Sequence, residues 1–389
     1  MSCERKVTDC LERAVANHEM AGISVLVRRG GKDVFYAQAG YADLESGRWV
    51  ARDDLFRLYS QSKPVTAAAA MILMERGLID LSDPVEKFLP GFAHPQVLTA
   101  DGPRPAQRSV LLMDLLGMTA GLCYPDADPA GQYAAQLFGE NQALIDQGGG
   151  MSTVEFANRM GQLPLSFQPG SAFRYSTCAD VMGAVIEVAS GKPFEDFLQA
   201  EIFEPLGMKD TAFWVPPEKQ SRFATCYRRV NGALEPFRQS HLCVGVYDRK
   251  PAFASGGAGL VSTLDDYAAF ADMLMNGGEY KGRRILSPAT VRFMTQPQMG
   301  PGPRATLWES LDGYDYGKFM RICTEPGRVV GLASPGEYGW DGWLGSYFCN
   351  MPAEGLTILS MQNTTDTGTC AAVRKVRNLV LAAASAGEL

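Results

Sequence analysis

The stretch Tyr59-Ser60-Gln61-Ser62-Lys63 brings two hydroxyls close to an amine. Ser60 and Lys63 are three residues apart, so in a helix their side chains lie one turn apart on one face, while Ser62 points elsewhere. A serine hydroxyl is a poor nucleophile until a base removes its proton. A lysine amine can act as that base when burial lowers its pKa. The spacing therefore indicates a nucleophile with its own base.

Pro64 indicates where the helix that carries this motif begins. Proline lacks an N–H and is tolerated only in the first turn of a helix. The following apolar residues recur at helical spacing up to Arg76, and Gly77 is a suitable stop. A helix that begins near Ser60 places the hydroxyl at the positive end of the helix dipole, which favours an alkoxide. The competing interpretation is a helix cap followed by a solvated lysine, because a chain of this length contains roughly one Ser-x-x-Lys by chance.

Two other stretches contain residues that can complete such a site. In FRYST, residues 173–177, Tyr175 lies in a turn before a helix, where its phenol can relay the lysine's proton or simply pack as an aromatic. In YGWDGWLGSYF, residues 338–348, Gly342 is expected to open a strand, and glycine lets a ligand approach the backbone closely. The next N–H, that of Trp343, can pair with the nucleophile's own N–H as an oxyanion hole. The alternative is a glycine-rich turn with a core tryptophan.

The composition excludes several functional classes. The chain has 389 residues, of which 46% are hydrophobic and 20% charged, and its net charge is -7, a profile typical of a soluble globular protein. No basic stretch can hold a phosphate backbone, so no nucleic-acid partner is expected. No apolar run approaches the ~18 residues of a membrane span, so no membrane partner is expected either. The nine scattered cysteines lack a Cys-x-x-Cys pair, which indicates reduced thiols in a cytoplasm.

Other catalytic classes lack their motifs. No Gly-x-Ser-x-Gly elbow of an α/β-hydrolase occurs. No His/Cys/Asp cluster has metal-ligand spacing and no glycine loop cradles a phosphate, so we expect neither a metal nor a cofactor. SGGAG, residues 255–259, is interpreted as a turn or as backbone that lines a pocket. The three histidines, His18, His94 and His241, are each expected to be surface or core residues, with His241 the first choice if a histidine takes part.

The elements that must position these residues follow from periodicity. Alternating apolar residues around Gly30-Gly31 predict a β-hairpin, and GSYFCNMPAEGLTILSMQN predicts a second one near the C-terminus. Strands at both ends with helices between them indicate an α/β (α+β) fold, in which an antiparallel sheet is built from both termini and the middle is a mainly helical insertion. Helices are predicted over the first ~20 residues, CADVMGAVIEVAS, STLDDYAAFADMLMNGG and TGTCAAVRKVRNLVLAAASA, whereas residues 215–255 look irregular.

The stretch YSQSKPVTAAAAMILMERGLIDLSDPVEKFLP resembles the nucleophile helix of the serine β-lactamase and penicillin-binding-protein family. The similarity is closest to the class C β-lactamases and their relatives, the family VIII carboxylesterases. It spans most of residues 10–365 and continues through LLGMTAGL, QPGSAFRYSTCADVMGAVIEVASGKPFEDFL, EPLGMKDTAF, GGAGLVSTLDDYAAFADMLMNGG and YGWDGWLGSYF.

The resemblance implies two domains with the site between them. An α/β domain would comprise residues 1–70, 171–218 and 314–389, and a helical domain would comprise residues 71–170 and 219–313. The implied fold agrees with the one that the periodicity predicts.

The resemblance also implies a role for each site residue. Ser60 would be acylated, Lys63 would activate it, and Tyr175 would open the family's Tyr-x-Asn motif. The oxyanion hole would be formed by the N–H groups of Ser60 and Trp343. The positions that would contact substrate are Tyr124, Thr177, Trp340, Asp341 and Gly342, of which the last three replace the Lys-Thr-Gly of β-lactamases.

Two departures from the family pattern bear on the substrate. Thr177 replaces an asparagine whose amide holds a substrate carbonyl, and the threonine side chain reaches less far than that amide. Trp340 replaces a lysine whose charge attracts the substrate carboxylate, an interaction worth roughly 1.5–3 kcal/mol, and Asp341 beside it is expected to repel that carboxylate. We therefore predict a carboxylesterase that hydrolyses an uncharged small-molecule ester through an acyl-enzyme.

Other functions remain open. An alcohol or amine can replace water, which would make the protein an acyltransferase. A β-lactamase and a D-alanyl peptidase acting on an amide are further alternatives. A sensor that becomes acylated but does not turn over is a fourth. The oligomeric state is not predicted.

Overall fold

A computed structural model describes all residues, 1–389. The α-helices are, in chain order, α1 Cys3–Ala16, α2 Lys63–Glu75, α3 Leu112–Leu116, α4 Pro129–Asp146, α5 Thr153–Gly161, α6 Cys178–Ser190, α7 Phe194–Leu198, α8 Glu204–Leu206, α9 Leu264–Met275, α10 Pro288–Met294, α11 Pro301–Arg304 and α12 Ala371–Ser385. The strands are β1 Gly22–Arg29, β2 Lys32–Asp43, β3 Arg48–Trp49, β4 Phe56–Arg57, β5 Gln96–Thr99, β6 Gly102–Pro105, β7 Tyr227–Val230, β8 Ala233–Pro236, β9 Val261–Ser262, β10 Glu279–Tyr280, β11 Arg283–Arg284, β12 Tyr314–Gly317, β13 Met320–Cys323, β14 Tyr338–Asp341, β15 Tyr347–Met351 and β16 Leu356–Gln362.

One antiparallel sheet of eight strands, in the order β12-β13-β14-β15-β16-β1-β2-β3, organises the molecule. Its centre joins the two ends of the chain, because β16 pairs with β1 in a register that sets Val25 opposite Ser360. The predicted fold class and both predicted hairpins are confirmed. The two domain boundaries stay a prediction.

The sheet separates two hydrophobic cores because its side chains alternate between its faces. Val25 and Ile358 belong to the core under α1 and α12, whereas Leu26 and Leu359 belong to the larger core on the other face. That larger core surrounds α2, which is buried from Lys63 to Leu73. A helix that is apolar on all sides has to be buried in this way.

Two local predictions were wrong. Helix α1 ends at Ala16, so His18 lies beyond it with a left-handed φ of 54°. The supposedly irregular segment contains the hairpin of β7 and β8, whose turn residues Asn231 and Gly232 have φ values of 50° and 85°. Asn-Gly is a strong signal for such a turn, because both residues tolerate positive φ.

None of the helices is long and apolar enough to cross a membrane. The nine cysteines are all free thiols.

Candidate active site

The motif residues Tyr59–Ser62 form a 3₁₀-helical turn that continues directly into α2 at Lys63. The predicted start of the helix near Ser60 is therefore this tighter turn, in which side chains three residues apart are eclipsed. The result is that Ser60 Oγ and Lys63 Nζ lie 3.1 Å apart. Ser62 points away, as predicted, and its Oγ accepts a hydrogen bond of 3.2 Å from the Leu260 N–H.

The backbone just before Ser60 is strained. Tyr59 has a φ of 44°, which is uncommon for an aromatic residue. Its buried ring packs edge-on against Trp343 with a centroid distance of 5.1 Å and lies 5.9 Å from His241. His241 in turn stacks on Trp343 at 4.0 Å. These aromatic contacts hold the strained residue in place, and His241 serves as a packing residue beside the site.

Lys63 is completely buried, and its amine has three polar neighbours. It donates to the Gly257 carbonyl at 2.8 Å and lies 3.1 Å from both Ser60 Oγ and the Tyr124 hydroxyl. Burial lowers the pKa of Lys63 from 10.5 to about 7, although nearby negative charge opposes the shift. A neutral amine with two N–H groups and one lone pair matches these neighbours, because the lone pair can accept the proton of Ser60.

Asp180 supports the lysine from behind. It lies in the first turn of α6, and one carboxylate oxygen accepts hydrogen bonds from Ser255 Oγ at 2.5 Å and the Gly257 N–H at 3.0 Å. Burial raises the pKa of Asp180, while the charge of Lys63 opposes that shift. The carboxylate thus fixes the Gly257 peptide whose carbonyl binds Lys63. The SGGAG segment is therefore backbone that lines the site, one of its two predicted interpretations.

Tyr175 lies in the turn before α6, and its phenol faces the same centre. The Lys63 amine is 4.5 Å from the centroid of the Tyr175 ring. Trp340 donates its indole N–H to the Tyr175 hydroxyl at 2.9 Å. Burial raises the pKa of Tyr175, and hydrogen bonds involving Ser60 and Trp340 oppose this only in part. The phenol is therefore protonated at neutral pH and is available as a proton donor.

Two backbone N–H groups near Ser60 have no partner within the protein. Neither the Ser60 N–H nor the Trp343 N–H donates a hydrogen bond to another residue. Gly342 begins a tight turn after β14 rather than opening a strand, as its carbonyl accepts from the Gly345 N–H at 2.9 Å. A β-carbon at Gly342 would lie only 2.1 Å from the Leu58 carbonyl oxygen. Glycine therefore allows the Trp343 N–H to approach the nucleophile turn.

Replacing Gly342 with alanine should push the β14 turn away from the Leu58 backbone. Because this move separates the Trp343 N–H from the Ser60 N–H, we expect kcat/KM for p-nitrophenyl butyrate to fall by about 10²–10³-fold, the usual effect of losing one oxyanion donor. The matched control is Gly139→Ala, whose added methyl group meets no atom within 4 Å. Equal activities in the two variants would contradict the assignment.

Two residues predicted to contact substrate have different surroundings. Thr177 is completely buried, and its hydroxyl donates to the Cys123 carbonyl at 3.4 Å. Its short side chain therefore points to the Cys123 backbone, and a contact between Thr177 and substrate stays a prediction. Asp341 was expected to present an open negative charge, but it forms an ion pair of 2.5 Å with Arg321, whose side chain is only 5% exposed. Its repulsion of a carboxylate is therefore partly neutralised.

The structure brings together Ser60, Lys63, Tyr175, Tyr124 and Trp340, and sequence reasoning missed several of their supports. Tyr124 was expected to contact substrate, which stays a prediction, and its hydroxyl also contacts the lysine amine. Asp180 and Arg321 had no assigned role at the site, and Gly257 was named only as part of the SGGAG segment. Asp180 offered one local signal, because it is a carboxylate in the first turn of an otherwise apolar helical stretch, CADVMGAVIEVAS. The favourable helix dipole explains such a carboxylate equally well, so the sequence alone did not single it out.

The chain is similar to known proteins over nearly its whole length. A family profile described as Beta-lactamase matches residues 7–383. Esterase EstB of Burkholderia gladioli is 30% identical over 371 residues, covering 92% of this chain and 89% of EstB. Protein Rv1367c of Mycobacterium tuberculosis is 32% identical over 343 residues, covering 84% of this chain and 81% of that protein. The solved structure of EstCE1, a hydrolase with promiscuous acyltransferase activity, superposes with a TM-score of 0.79 at 26% identity over 97% of this chain and 98% of EstCE1. The chain therefore belongs to the beta-lactamase family of serine-active proteins.

Proposed function

We propose that this protein is a serine carboxylesterase that acts on uncharged small-molecule esters through an acyl-enzyme. The observation that carries the proposal is the buried Lys63 amine, with a pKa of about 7, at 3.1 Å from Ser60 Oγ. Such an amine has a substantial neutral fraction at physiological pH, and the neutral form can take the serine proton. Esterase EstB and EstCE1, reported above, support the same reaction class.

In the acylation step, Ser60 Oγ attacks the ester carbonyl carbon and passes its proton to Lys63. The oxyanion binds the N–H groups of Ser60 and Trp343, where fixed donors favour the developing charge. The carbon–alkoxide bond then breaks, and the leaving oxygen takes a proton from Tyr175, which Lys63 reprotonates. In deacylation, water attacks the same carbon and gives a proton to Lys63 through Tyr175. The bond to Ser60 Oγ then breaks, Lys63 returns the proton to Oγ, and the acid is released.

The residues around Tyr175 support an uncharged substrate. Trp340 supplies a neutral N–H to the phenol at a position that is cationic in the β-lactamases the sequence resembles. Asp341 adds a carboxylate that the Arg321 charge is already paired with. Because the Arg321 guanidinium is paired with Asp341, it is not free to attract a substrate carboxylate. Carboxylate-bearing β-lactams and D-alanyl peptides should therefore be poor substrates.

The decisive experiment is steady-state turnover of p-nitrophenyl butyrate compared with a cephalosporin such as nitrocefin. We expect sustained nitrophenol release, with kcat/KM for the ester about 10- to 150-fold above that for nitrocefin, the ratio that corresponds to a lost charge-assisted contact of about 1.5–3 kcal/mol. A single stoichiometric burst with mass retained at Ser60 would indicate a sensor. The reverse preference would indicate a β-lactamase.

We also propose a cytoplasmic location. Nine free thiols favour a reducing compartment. Fractionation of the native host with an antibody against this chain tests the proposal, and recovery outside the cytoplasm would contradict it.

A further inference from the structure

Trp308 is a large apolar side chain that is exposed beside the proposed catalytic phenol. It follows α11 in a segment that precedes the sheet strand β12, and 45% of its surface is accessible. Its ring lies 5.0 Å from the ring of Tyr175 at an interplanar angle of 59°. A tryptophan half open to solvent at this position is unusual, because burying its ring would stabilise the fold.

The segment that carries Trp308 is attached to the turn that carries Tyr175. Thr306 Oγ1 accepts a hydrogen bond of 2.8 Å from the Phe173 N–H. The Phe173 ring packs edge-on against Trp308 with a centroid distance of 5.9 Å. Arg304 of the same segment forms an ion pair with Asp315. These contacts hold Trp308 at the rim of the site while its ring stays accessible.

The two tryptophans that contact Tyr175 differ in their exposure and in whether their indole N–H is bonded to the phenol. Trp340 is 4% exposed, and its indole N–H is used in the hydrogen bond to the phenol. Trp308 makes no hydrogen bond to the phenol and is the exposed one of the two. Trp340 therefore orients Tyr175, whereas the Trp308 ring has free surface for a ligand.

The chemistry indicates which part of an ester would meet Trp308. When the bond between the carbonyl carbon and the alkoxide breaks, the departing oxygen needs a proton. Lys63 is completely buried and its amine contacts Ser60, Tyr124 and Gly257, whereas Tyr175 as a residue is only partly buried. The alcohol group must therefore leave beside Tyr175, and this is where the Trp308 ring lies.

We propose that Trp308 is a specificity-determining residue that binds the apolar alcohol part of the ester. This inference rests on the proposed esterase function. By the same geometry, an apolar alcohol that replaces water in deacylation would bind on Trp308. Its O–H gives its proton to Tyr175, which passes one on to Lys63, and its oxygen bonds to the acyl carbon. The bond to Ser60 Oγ breaks, and Lys63 returns the proton to Oγ. The inference assigns Trp308 no part in binding the acyl chain.

The test compares butyrate esters that differ only in their alcohol, because all of them form the same acyl-enzyme. For Trp308→Ala we expect kcat/KM to fall by about 10- to 30-fold with 1-naphthyl butyrate and by less than about 2-fold with methyl butyrate, as expected for losing one aromatic contact. Transfer of butyrate to benzyl alcohol, measured as the ratio of benzyl butyrate to butyrate, should fall similarly. Trp308→Phe should retain most of both activities.

Two further measurements keep the outcome decisive. Ethyl acetate and ethyl octanoate should keep their wild-type activity ratio in Trp308→Ala, since the inference assigns Trp308 to the alcohol part alone. An equal loss with every alcohol, or a change in the acyl ratio, would overturn the inference. Saturation-transfer NMR with benzyl alcohol tests the Trp308 site independently of the proposed esterase function. Suppose that the wild type turns over no ester but binds benzyl alcohol at least about 5-fold more tightly than Trp308→Ala does. The esterase proposal then fails, whereas the alcohol-binding role of Trp308 stands.

Discussion

Replacing Ser60 with alanine is expected to lower kcat/KM for p-nitrophenyl butyrate by about 10⁴- to 10⁶-fold, the range found when a catalytic nucleophile is removed. Without Oγ no acyl-enzyme can form, and the Lys63 amine loses the group from which it takes a proton. The fold should survive, because Ser60 is only partly buried and its main side-chain contact is with Lys63. The measurement is initial rate together with intact mass after reaction with a fluorophosphonate.

Ser62→Ala is the matched control for this experiment. Ser62 lies two residues away in the same turn, but its hydroxyl accepts from the Leu260 N–H and does not face the site. We expect activity to stay within about 10-fold of wild type and the free energy of unfolding to fall by about 1 kcal/mol. Fluorophosphonate labelling that persists in Ser60→Ala would show that another residue is the nucleophile.

Replacing Lys63 with methionine is expected to lower kcat/KM by about 10³- to 10⁴-fold, at the upper end of what a general base contributes. Methionine fills a similar volume, so the buried space stays occupied while the proton acceptor is lost. Lys32→Met, which changes an exposed lysine of β2, should have no measurable effect. Near wild-type activity in Lys63→Met would show that the base lies elsewhere.

The same amine should set the pH dependence of the wild type. Its pKa of about 7 lies below the ordinary 10.5 because of burial, and only the neutral form accepts a proton. As the pH falls below about 7, kcat/KM should therefore drop roughly tenfold per pH unit.

The negative charge of Asp180 raises the pKa of Lys63, so Asp180→Asn should move the acid limb of the pH profile to lower pH. A limb that stays in place would contradict the electrostatic role of Asp180.

Local chemistry made part of the site predictable from sequence. The Ser60–Lys63 spacing and the position of Pro64 are properties of one short segment, and a tight helical turn satisfies them whatever surrounds it. The two terminal hairpins and the helix after Thr263 follow from periodicity and capping in the same way, and Thr263 caps α9 by accepting from the Asp266 N–H. The role of Tyr175 came from family resemblance.

What could not be predicted depends on residues that are distant in the sequence. The Arg321–Asp341 pair forms because β13 and β14 are adjacent in a register that places these residues on one face. Trp308 reaches Tyr175 only through the docking of its segment against Phe173. Neither contact leaves a periodic or spacing signal in one stretch of the chain, so only the assembled sheet reveals them.

The pairing of β1 with β16 has a consequence for synthesis on the ribosome. The first hairpin emerges early, but the strand that completes the centre of its sheet is translated more than three hundred residues later, and such non-local pairing is slow to form. Nascent chains that end at residue 337 should therefore leave β1 with an open edge and be cut rapidly by trypsin at Arg28 or Arg29. Full-length chains should resist cleavage there, which would show that the enzyme matures only after its last strands leave the exit tunnel.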